Sequence, residues 1–434
     1  MTASDQASVL ERASLDWLRA PVSTAEPDWL SQQRASARTY LKAHGLPKPQ
    51  DEAFRFLPLK SLAAQTLRMA NGSGSRERLQ PRPEFAASIG FADGFPIGEF
   101  DKLPGGLHLV RLQDLLATQA DMVERFLGRL ATPVNGFAAV GLALFYDAWV
   151  VHVREGVAIE LPLEVVVRQD QSGVWSIPRL LVVLEPRSRL TIVEKQVTRE
   201  AVQGGLSTGI FEIFVGQGAS LSHVRVATRG ESEAEVSLVV AEVAADAHYH
   251  SWVGSLGGGL TRLDAQVRLV GPGARVDLDG LYVARGRELV DHHTVVIHES
   301  PSTTATEMYR GILDDEAQAV FDGLIVVKPG AQQTNAQQYN RNLVLSDSAV
   351  VHTKPQLEIE ADDVVCSHGA TVGRLDAQQL FYLQSRGLSA NSAKQLLTAA
   401  FANEIIERCP HAPLIPVIKG QVASHLGTTE GLDW

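Results

Sequence analysis

The sequence predicts a mainly β protein whose core is a β-helix (β-solenoid), flanked by helical segments. From about Gly141, short runs rich in valine and isoleucine alternate with Gly, Pro and Asp turns, and sustained helical periodicity is absent. One turn-and-strand unit then recurs along the chain. The two ends instead show helical spacing and helix caps. We therefore divide the chain into an N-terminal helical and mixed domain (1–140), a β-helix core (141–372) and a C-terminal helical domain (373–434).

The N-terminal domain is predicted to contain a helix that begins after Pro27, where a first helical turn tolerates proline, and ends at Gly45. Four residues at helical spacing define its buried face: Leu30, Arg34, Ala37 and Leu41. A polar loop is predicted at 71–83, where glycine, serine and proline are frequent. An amphipathic segment follows around 112–130.

A small residue stands between a turn and an alternating strand in each copy of the core repeat. These residues are Ser188, Ala219, Ala247, Ala274, Ala317 and Ala349, with Val364 in the last copy. The intervals between their positions are 31, 28, 27, 43, 32 and 15. Most intervals lie near 30, while 15 suggests half a coil and 43 one and a half. A solenoid with two similar halves per coil produces this pattern. A β-sandwich is the alternative, but its strands recur at about 8–12 residues.

The C-terminal domain is predicted to form a helical hairpin. Asp376 and Gln379 make a capping box, Gly387 closes the first helix, and Pro410 ends the second. An apolar stripe on the second helix includes the candidate partner-docking residues Leu396, Leu397, Phe401 and Ile405. Two roles remain open for the hairpin, namely capping the end of the solenoid and docking a partner.

Composition limits the class of protein. The chain has 434 residues and a net charge of −11, which argues against a protein that binds nucleic acid through a basic face. We find no basic region followed by an apolar stretch at the N-terminus, and no apolar run of the ~18 residues that a membrane span needs. The two cysteines, Cys366 and Cys409, do not suggest a disulfide framework. A cytoplasmic protein is therefore expected.

Two groups of residues could carry chemistry. His292 and His298 share one face of a strand but lie ~20 Å apart, so they are expected to be core or solvated histidines and not joint metal ligands. Cys366 and His368, at positions i and i+2, place a thiol and an imidazole on one face about 7 Å apart, where both could meet one iron, zinc or copper ion. Two ligands do not complete a site, and a structural cysteine beside a hydrogen-bonded histidine is the alternative. Cys366 aligns with Leu221 and Val276, which are expected to face the core.

The residues alone leave two functions open. One is a scaffold that completes its site with another chain. The other is a stand-alone β-helix enzyme, either metal-dependent or carbohydrate-active, with acidic residues on one face. The sequence has no P-loop and no dinucleotide-binding glycine motif after a strand, so nucleotide chemistry within this chain is not indicated.

The segment 298–389, from HESPSTTATEMYRG to FYLQSRGLS, resembles the SufB/SufD family of iron–sulfur cluster assembly proteins. Weaker similarity extends upstream through 140–165, and the segment 1–130 matches only in helical character. Three details favour the SufD branch of the family. Pro355-Gln356-Leu357-Glu358 is followed by isoleucine where SufB chains have cysteine, the SufB sequence E-H-E-A-T is replaced by S-H-G-A-T, and no cysteine precedes Cys366.

The resemblance implies a non-catalytic scaffold subunit. It implies pairing with SufB through the ends of the two β-helices, and docking of the ATPase SufC on the C-terminal helices. His368 matches the family's functional histidine, which faces a SufB cysteine across the interface, and Cys366 matches a nearby thiol. The implied cofactor is a transient iron–sulfur cluster shared with SufB, and the resemblance leaves open a reduced flavin in the complex and a homodimer of the isolated chain.

Overall fold

The computed structural model describes residues 26–59, 62, 67–70, 79, 82–100, 102–199 and 201–427. The predicted polar loop lies almost entirely outside these ranges, as does the segment 1–25, on which the expectation of no secretory signal rests. Along the described residues the mainly β architecture and the solenoid core are confirmed.

Two largely parallel sheets form the walls of a solenoid of about eight turns. From strand β5 onward the chain alternates between the two sheets, so every coil contributes at least one strand to each wall. The strands are β1 Arg68–Met69, β2 Ala87–Ala92, β3 Phe95–Gly98, β4 Leu107–Arg111, β5 Trp149–Val153, β6 Leu163–Gln169, β7 Val174–Ser176, β8 Arg179–Leu184, β9 Arg189–Thr198, β10 Gly205–Ser207, β11 Ile210–Val215, β12 Ser220–Thr228, β13 Glu233–Val243, β14 His248–Leu256, β15 Leu260–Leu269, β16 Arg275–Ala284, β17 Leu289–His298, β18 Thr304–Leu313, β19 Gln318–Val327, β20 Thr334–Val344, β21 Val350–Ile359 and β22 Val364–Gly373.

The strand register explains the unequal spacings of the repeat. Ala219, Ala247 and Ala274 each precede a strand of one sheet, where β12, β14 and β16 pair in parallel. Ala317 and Ala349 precede β19 and β21 of the other sheet. The interval of 43 residues therefore spans one and a half coils, from a strand of one sheet to a strand of the other. The last interval of 15 residues spans half a coil and leads back to the first sheet. Both interpretations of the spacing are confirmed.

Buried charges inside the solenoid are paired. Arg225 donates from Nε to Glu194 Oε1 at 2.9 Å and also bonds Glu235, while His223 Nε2 lies 2.8 Å from Glu194 Oε2. All four side chains are at most 3 % exposed. Isolated charges cannot be buried at this depth without large cost, so the partners hold each other in place. Aliphatic and aromatic side chains fill most of the rest of the interior.

Helices flank the solenoid on both sides in sequence. Helix α1 (Asp28–His44) buries the four predicted residues, which confirms the predicted face. Its Arg34 donates to the carbonyl oxygens of Ala143 and Phe145, so this buried cation ties α1 to the chain just before the first coil. The helices that follow include α2 Leu112–Thr118, α3 Ala120–Glu124 and α4 Gly136–Leu144.

The C-terminal helices are α5 (Ala377–Ser385), α6 (Ala390–Ile406) and α7 (Ile415–His425). Asp376 caps α5 by accepting from the backbone N–H of Gln378 and Gln379, at the predicted position. Helices α6 and α7 pack on the outer face of β14, β16 and β18, along the side of the solenoid. None of the helices in the described part of the chain is long and apolar enough to span a membrane.

Candidate functional site

The last coil leaves one end of the solenoid open. β21 and β22 are the terminal strands of the two sheets, and no described strand pairs with their outer edges. Four apolar side chains on these strands are exposed: Val350, Ile359, Val365 and Val372. Unpaired backbone groups along an edge strand form a template for another strand, and apolar side chains beside them favour association. This open end is therefore the main candidate for a surface that pairs with another chain.

Cys366 faces the interior of this last coil. It pairs in register with Ala336, which continues a column of interior residues through Ala305 and Val276. The predicted alignment with the core-facing positions is confirmed. Cys366 is half-buried, and burial raises the pKa of its thiol above the usual value. The thiol is therefore protonated at neutral pH, and a metal ion that binds it must displace the proton.

His368 lies two residues further along β22 and has the same inward phase. It is exposed because no further coil covers it. Its ring forms no hydrogen bond with any residue that the structure describes. The imidazole is thus available to a ligand at the open end, on the same face as the Cys366 thiol.

Two buried polar residues lie in the coils beneath His368. Gln338 pairs in register with His368, and Glu307 pairs with Gln338 one coil further down. Gln338 Nε2 donates to Glu307 Oε2 at 3.1 Å, and Thr294 Oγ1 donates to the same oxygen at 2.7 Å. Burial raises the pKa of Glu307 to about 7, against the smaller opposing effect of these two hydrogen bonds. Sequence reasoning missed both residues, although the strand alternation around Gln338 marks an inward polar side chain.

Cys366 and His368 do not make a complete metal site by themselves. In the described ranges, no three His, Cys, Asp or Glu side chains are grouped so that they could hold a metal ion. A thiolate and an imidazole suit iron, zinc or copper, and iron–sulfur clusters are held mainly by cysteine thiolates with histidine in some classes. The donor types at the open end are therefore compatible with an iron–sulfur cluster, which would need further ligands.

The other histidines considered above are core residues. His292 is 1 % exposed and its Nε2 lies 2.9 Å from Ser255 Oγ, while Tyr282 and Tyr309 contact its ring edge-on. His298 is fully buried and bonds Thr303. Burial lowers the pKa of each to about 4. The prediction that they are not joint metal ligands is consistent with these separate packing environments.

Ser207 lies in the sequence Gly205-Leu206-Ser207-Thr208-Gly209, which has the spacing of a hydrolase nucleophile elbow. That motif needs a turn from a strand into a helix, whereas here the serine ends β10 and the chain continues into β11. Ser207 is 1 % exposed, and its Oγ has no hydrogen-bond partner among the residues described. None of the described residues is hydrogen-bonded to it as a base, and the segment is part of the solenoid wall.

The predicted docking residues of α6 differ in exposure. Leu396 is exposed, Leu397 and Phe401 are half-buried, and Ile405 is 1 % exposed against the solenoid. The Arg310 guanidinium lies 4.7 Å from the centre of the Phe401 ring. Ile405 thus attaches α6 to the sheet, and of the four only Leu396 is freely presented.

Two further exposed aromatic side chains lie on α5. Phe381 is 72 % exposed and Tyr382 is 56 % exposed. The sequence does not indicate them, because α5 buries none of its residues and so has no apolar stripe that would distinguish an inner face from an outer one. Large exposed aromatic residues are enriched at protein interfaces, so they extend the candidate docking surface.

These features define a β-solenoid protein with an unpaired terminal coil that carries a thiol and an imidazole. Residues 167–401 match the family model described as SUF system FeS cluster assembly, SufBD core domain. An iron–sulfur cluster assembly SufBD family protein of Synechocystis is 30% identical over 412 residues, 91% of each chain. The chain belongs to the SufBD family of the SUF system for iron–sulfur cluster assembly.

Two relatives described as iron–sulfur cluster assembly protein SufD are also similar. The Bacillus subtilis protein is 26% identical over 413 residues, which cover 92% of this chain and 93% of the relative. The Escherichia coli protein is 38% identical over 220 residues, half of each chain. The family expected from the sequence is confirmed.

Proposed function

We propose that this chain is the SufD-type scaffold subunit of an iron–sulfur cluster assembly complex. In this proposal it pairs with SufB through the open end of the solenoid and holds a nascent cluster, as substrate, at the seam. The observation that carries the proposal is the placement of Cys366 and His368 on the inward face of the uncovered last coil. Membership of the SufBD family adds support, as do the two relatives described as SufD. The complex would act in the cytoplasm.

The chemistry required of this chain is modest. A neutral imidazole already carries a nitrogen lone pair for a metal ion, whereas Cys366 binds only after its thiol proton has left. A second chain that closes the end would remove water from both groups, which strengthens their interaction with iron. His368 is therefore the more readily available ligand, and Cys366 becomes one as the metal arrives.

The C-terminal helices are proposed to dock the ATPase SufC. α6 and α7 are anchored along the side of the solenoid, so their outer surface remains clear of the open end. Leu396 on α6, with Phe381 and Tyr382 on the neighbouring helix α5, provides exposed apolar groups for a partner. A nucleotide-driven movement of SufC would then reach the seam through the rigid stack of coils. This chain would supply ligands and support, and the ATPase activity would belong to SufC.

Pairing with SufB can be tested at the open end. Val372→Glu places a charge on the inward face of the last coil, where it would be buried in the complex without a partner. We expect this variant to lose SufB binding in an analytical pull-down with purified subunits. Leu161→Glu is a matched control, because Leu161 is a similarly exposed apolar residue near the first coil.

Wild-type SufB affinity in Val372→Glu would exclude pairing through this end. The same preparations distinguish the alternative of a stand-alone β-helix enzyme. The purified chain alone is expected to catalyse no metal-dependent or carbohydrate-directed reaction. It is also expected to hold no tightly bound metal in stoichiometric amount. Partner-free turnover together with such a metal would support the enzyme instead.

A further inference from the structure

A buried hydrogen-bond acceptor lies next to His368. In the parallel register of β20 and β22, Gln338 is the residue opposite His368. Neighbouring strands are separated by ~4.8 Å, and both side chains have the inward phase. Gln338 is fully buried, whereas His368 reaches the open end. The Gln338 side chain therefore lies in the coil directly beneath His368, on the same inward face.

The orientation of this amide is set from below. Nε2 of Gln338 donates a hydrogen bond to Glu307 Oε2, which also accepts one from Thr294 Oγ1. Oε1 of Gln338 is buried and has no hydrogen-bond partner among the described residues. A buried acceptor without a partner destabilises the folded protein, so it is expected to have a use in the working state of the protein.

A histidine that binds a metal through one ring nitrogen usually donates the N–H of the other nitrogen to a nearby acceptor. That hydrogen bond fixes the tautomer and the orientation of the ring. We propose that Gln338 is the positioning residue for His368: its Oε1 accepts the N–H of the imidazole nitrogen that does not bind the cluster. Glu307 holds the amide so that oxygen, and not nitrogen, is turned toward the ring. This inference rests on the proposed role of His368 as a cluster ligand.

The variant Gln338→Met tests the inference, since it removes the acceptor and keeps the length of the side chain. Gln337→Met is the matched control, because Gln337 is the exposed neighbour on the opposite face of β20. The first measurement is the ¹⁵N chemical shifts of the His368 ring in the histidine-labelled chain bound to unlabelled, iron-free SufB. We expect one dominant tautomer in the wild type and in Gln337→Met, and a mixture of tautomers in Gln338→Met.

The second measurement is the affinity of the complex with SufB for Fe²⁺ under anaerobic conditions. Loss of an outer hydrogen bond to a metal-binding histidine typically lowers affinity about 10–100-fold, and we expect a decrease in that range for Gln338→Met. Gln338→Asn keeps a polar amide in the interior and withdraws the acceptor by one methylene. It is expected to lose the tautomer preference as well, and it serves if Gln338→Met does not fold.

The outcomes separate this inference from the proposed function. An unchanged tautomer distribution in Gln338→Met and Gln338→Asn overturns the positioning role, even if His368→Ala blocks cluster assembly. If His368→Ala leaves assembly intact, the proposed ligand role fails, while the ring shifts still decide whether Gln338 holds the imidazole. An altered tautomer with reduced Fe²⁺ affinity supports both.

Discussion

Trp252 in β14 donates its indole N–H to the carbonyl oxygen of Ile405 in α6, at 2.9 Å. Both side chains are at most 1 % exposed, and they lie in one apolar cluster with residues of α7. This contact joins the C-terminal helices to the wall of the solenoid. The proposed coupling of SufC to the seam depends on such a rigid attachment.

Trp252→Phe is expected to loosen this attachment without removing the aromatic packing entirely. Loss of the hydrogen bond and of part of the buried ring should lower the free energy of unfolding by about 1–2 kcal/mol. Urea denaturation measures the decrease, and hydrogen exchange should quicken in 390–406. Tyr146→Phe, at an exposed site, should change neither quantity. Wild-type exchange in α6 of Trp252→Phe would show that other contacts hold the helices.

Arg225→Met should destabilise the chain strongly, because it leaves Glu194 without its main buried cation. Breaking a buried ion pair from one side typically costs about 3–5 kcal/mol. Arg287→Met is the control, since Arg287 pairs with Glu316 in solvent and such pairs contribute about 1 kcal/mol or less. Equal denaturation midpoints of the two variants would contradict the importance of the interior pairs.

Glu194 should also make stability depend on pH. Burial alone would raise the pKa of Glu194, but the Arg225 guanidinium and His223 outweigh it and lower the pKa to about 2. A carboxyl whose pKa is lower in the folded state stabilises the fold above pH 4.5, and this contribution is lost as pH falls toward 2. The free energy of unfolding should therefore decrease over that interval, with a smaller decrease in Glu194→Gln. Parallel acid titrations of the two proteins would contradict this.

Glu307 should act in the opposite direction. Its pKa of about 7 means that the folded state holds a proton that the unfolded state releases near pH 4.5. The folded state therefore loses stability as pH rises from 4.5 to 7, by roughly 3 kcal/mol at about 1.4 kcal/mol per pKa unit. The difference in unfolding free energy between wild type and Glu307→Gln should shift by this amount across the interval, in favour of the variant at higher pH.

The comparison with Glu307→Gln is needed because other groups titrate nearby. His292 and His298 have lowered pKa values, so their contribution to stability rises with pH between about 4 and 6.5. Both proteins share that contribution, and it cancels in the difference. Glu316→Gln, at an exposed carboxyl, should show no such shift relative to wild type. A pH-independent difference for Glu307→Gln would mean that Glu307 is ionised in the folded protein at neutral pH.

Leu396→Asp should weaken SufC binding without unfolding the chain, because Leu396 is the exposed member of the predicted docking stripe. A carboxylate in an apolar docking surface must be desolvated on binding, which disfavours the complex. Binding to purified SufC by calorimetry measures the loss, and Val134→Asp is an exposed control in the N-terminal domain. Wild-type affinity would place the SufC surface elsewhere. Ile405→Asp, in contrast, should unfold the helices.

Local patterns in the sequence predicted much of the fold. Helical spacing predicted the buried face of α1, because residues three or four positions apart lie on the same side of a helix. The repeated turn-and-strand pattern predicted the coils of the solenoid. The alternation of side chains along a strand predicted that Cys366 faces inward. Each of these rests on a period that is set by backbone geometry alone.

Contacts between coils could not be predicted in the same way. Alternation shows that Gln338 points inward, but its position below His368 depends on the register of two strands that are separated by a full coil of sequence. The burial of Ile405 likewise depends on which side of α6 packs against the sheet. An apolar stripe on a helix does not show whether it contacts the same chain or a partner. The position of Gln338 and Glu307 beneath His368 follows only from the strand register.

Anaerobic cluster assembly in the complex with SufB and SufC tests the central claim most directly. His368→Ala removes the proposed ligand, and Ser367→Ala changes the adjacent residue on the opposite face of β22. Iron and sulfide content and visible absorption report the clusters formed. We predict that Ser367→Ala assembles clusters like the wild type, whereas His368→Ala forms the complex but assembles few or none. Wild-type rate and yield in His368→Ala would contradict the account.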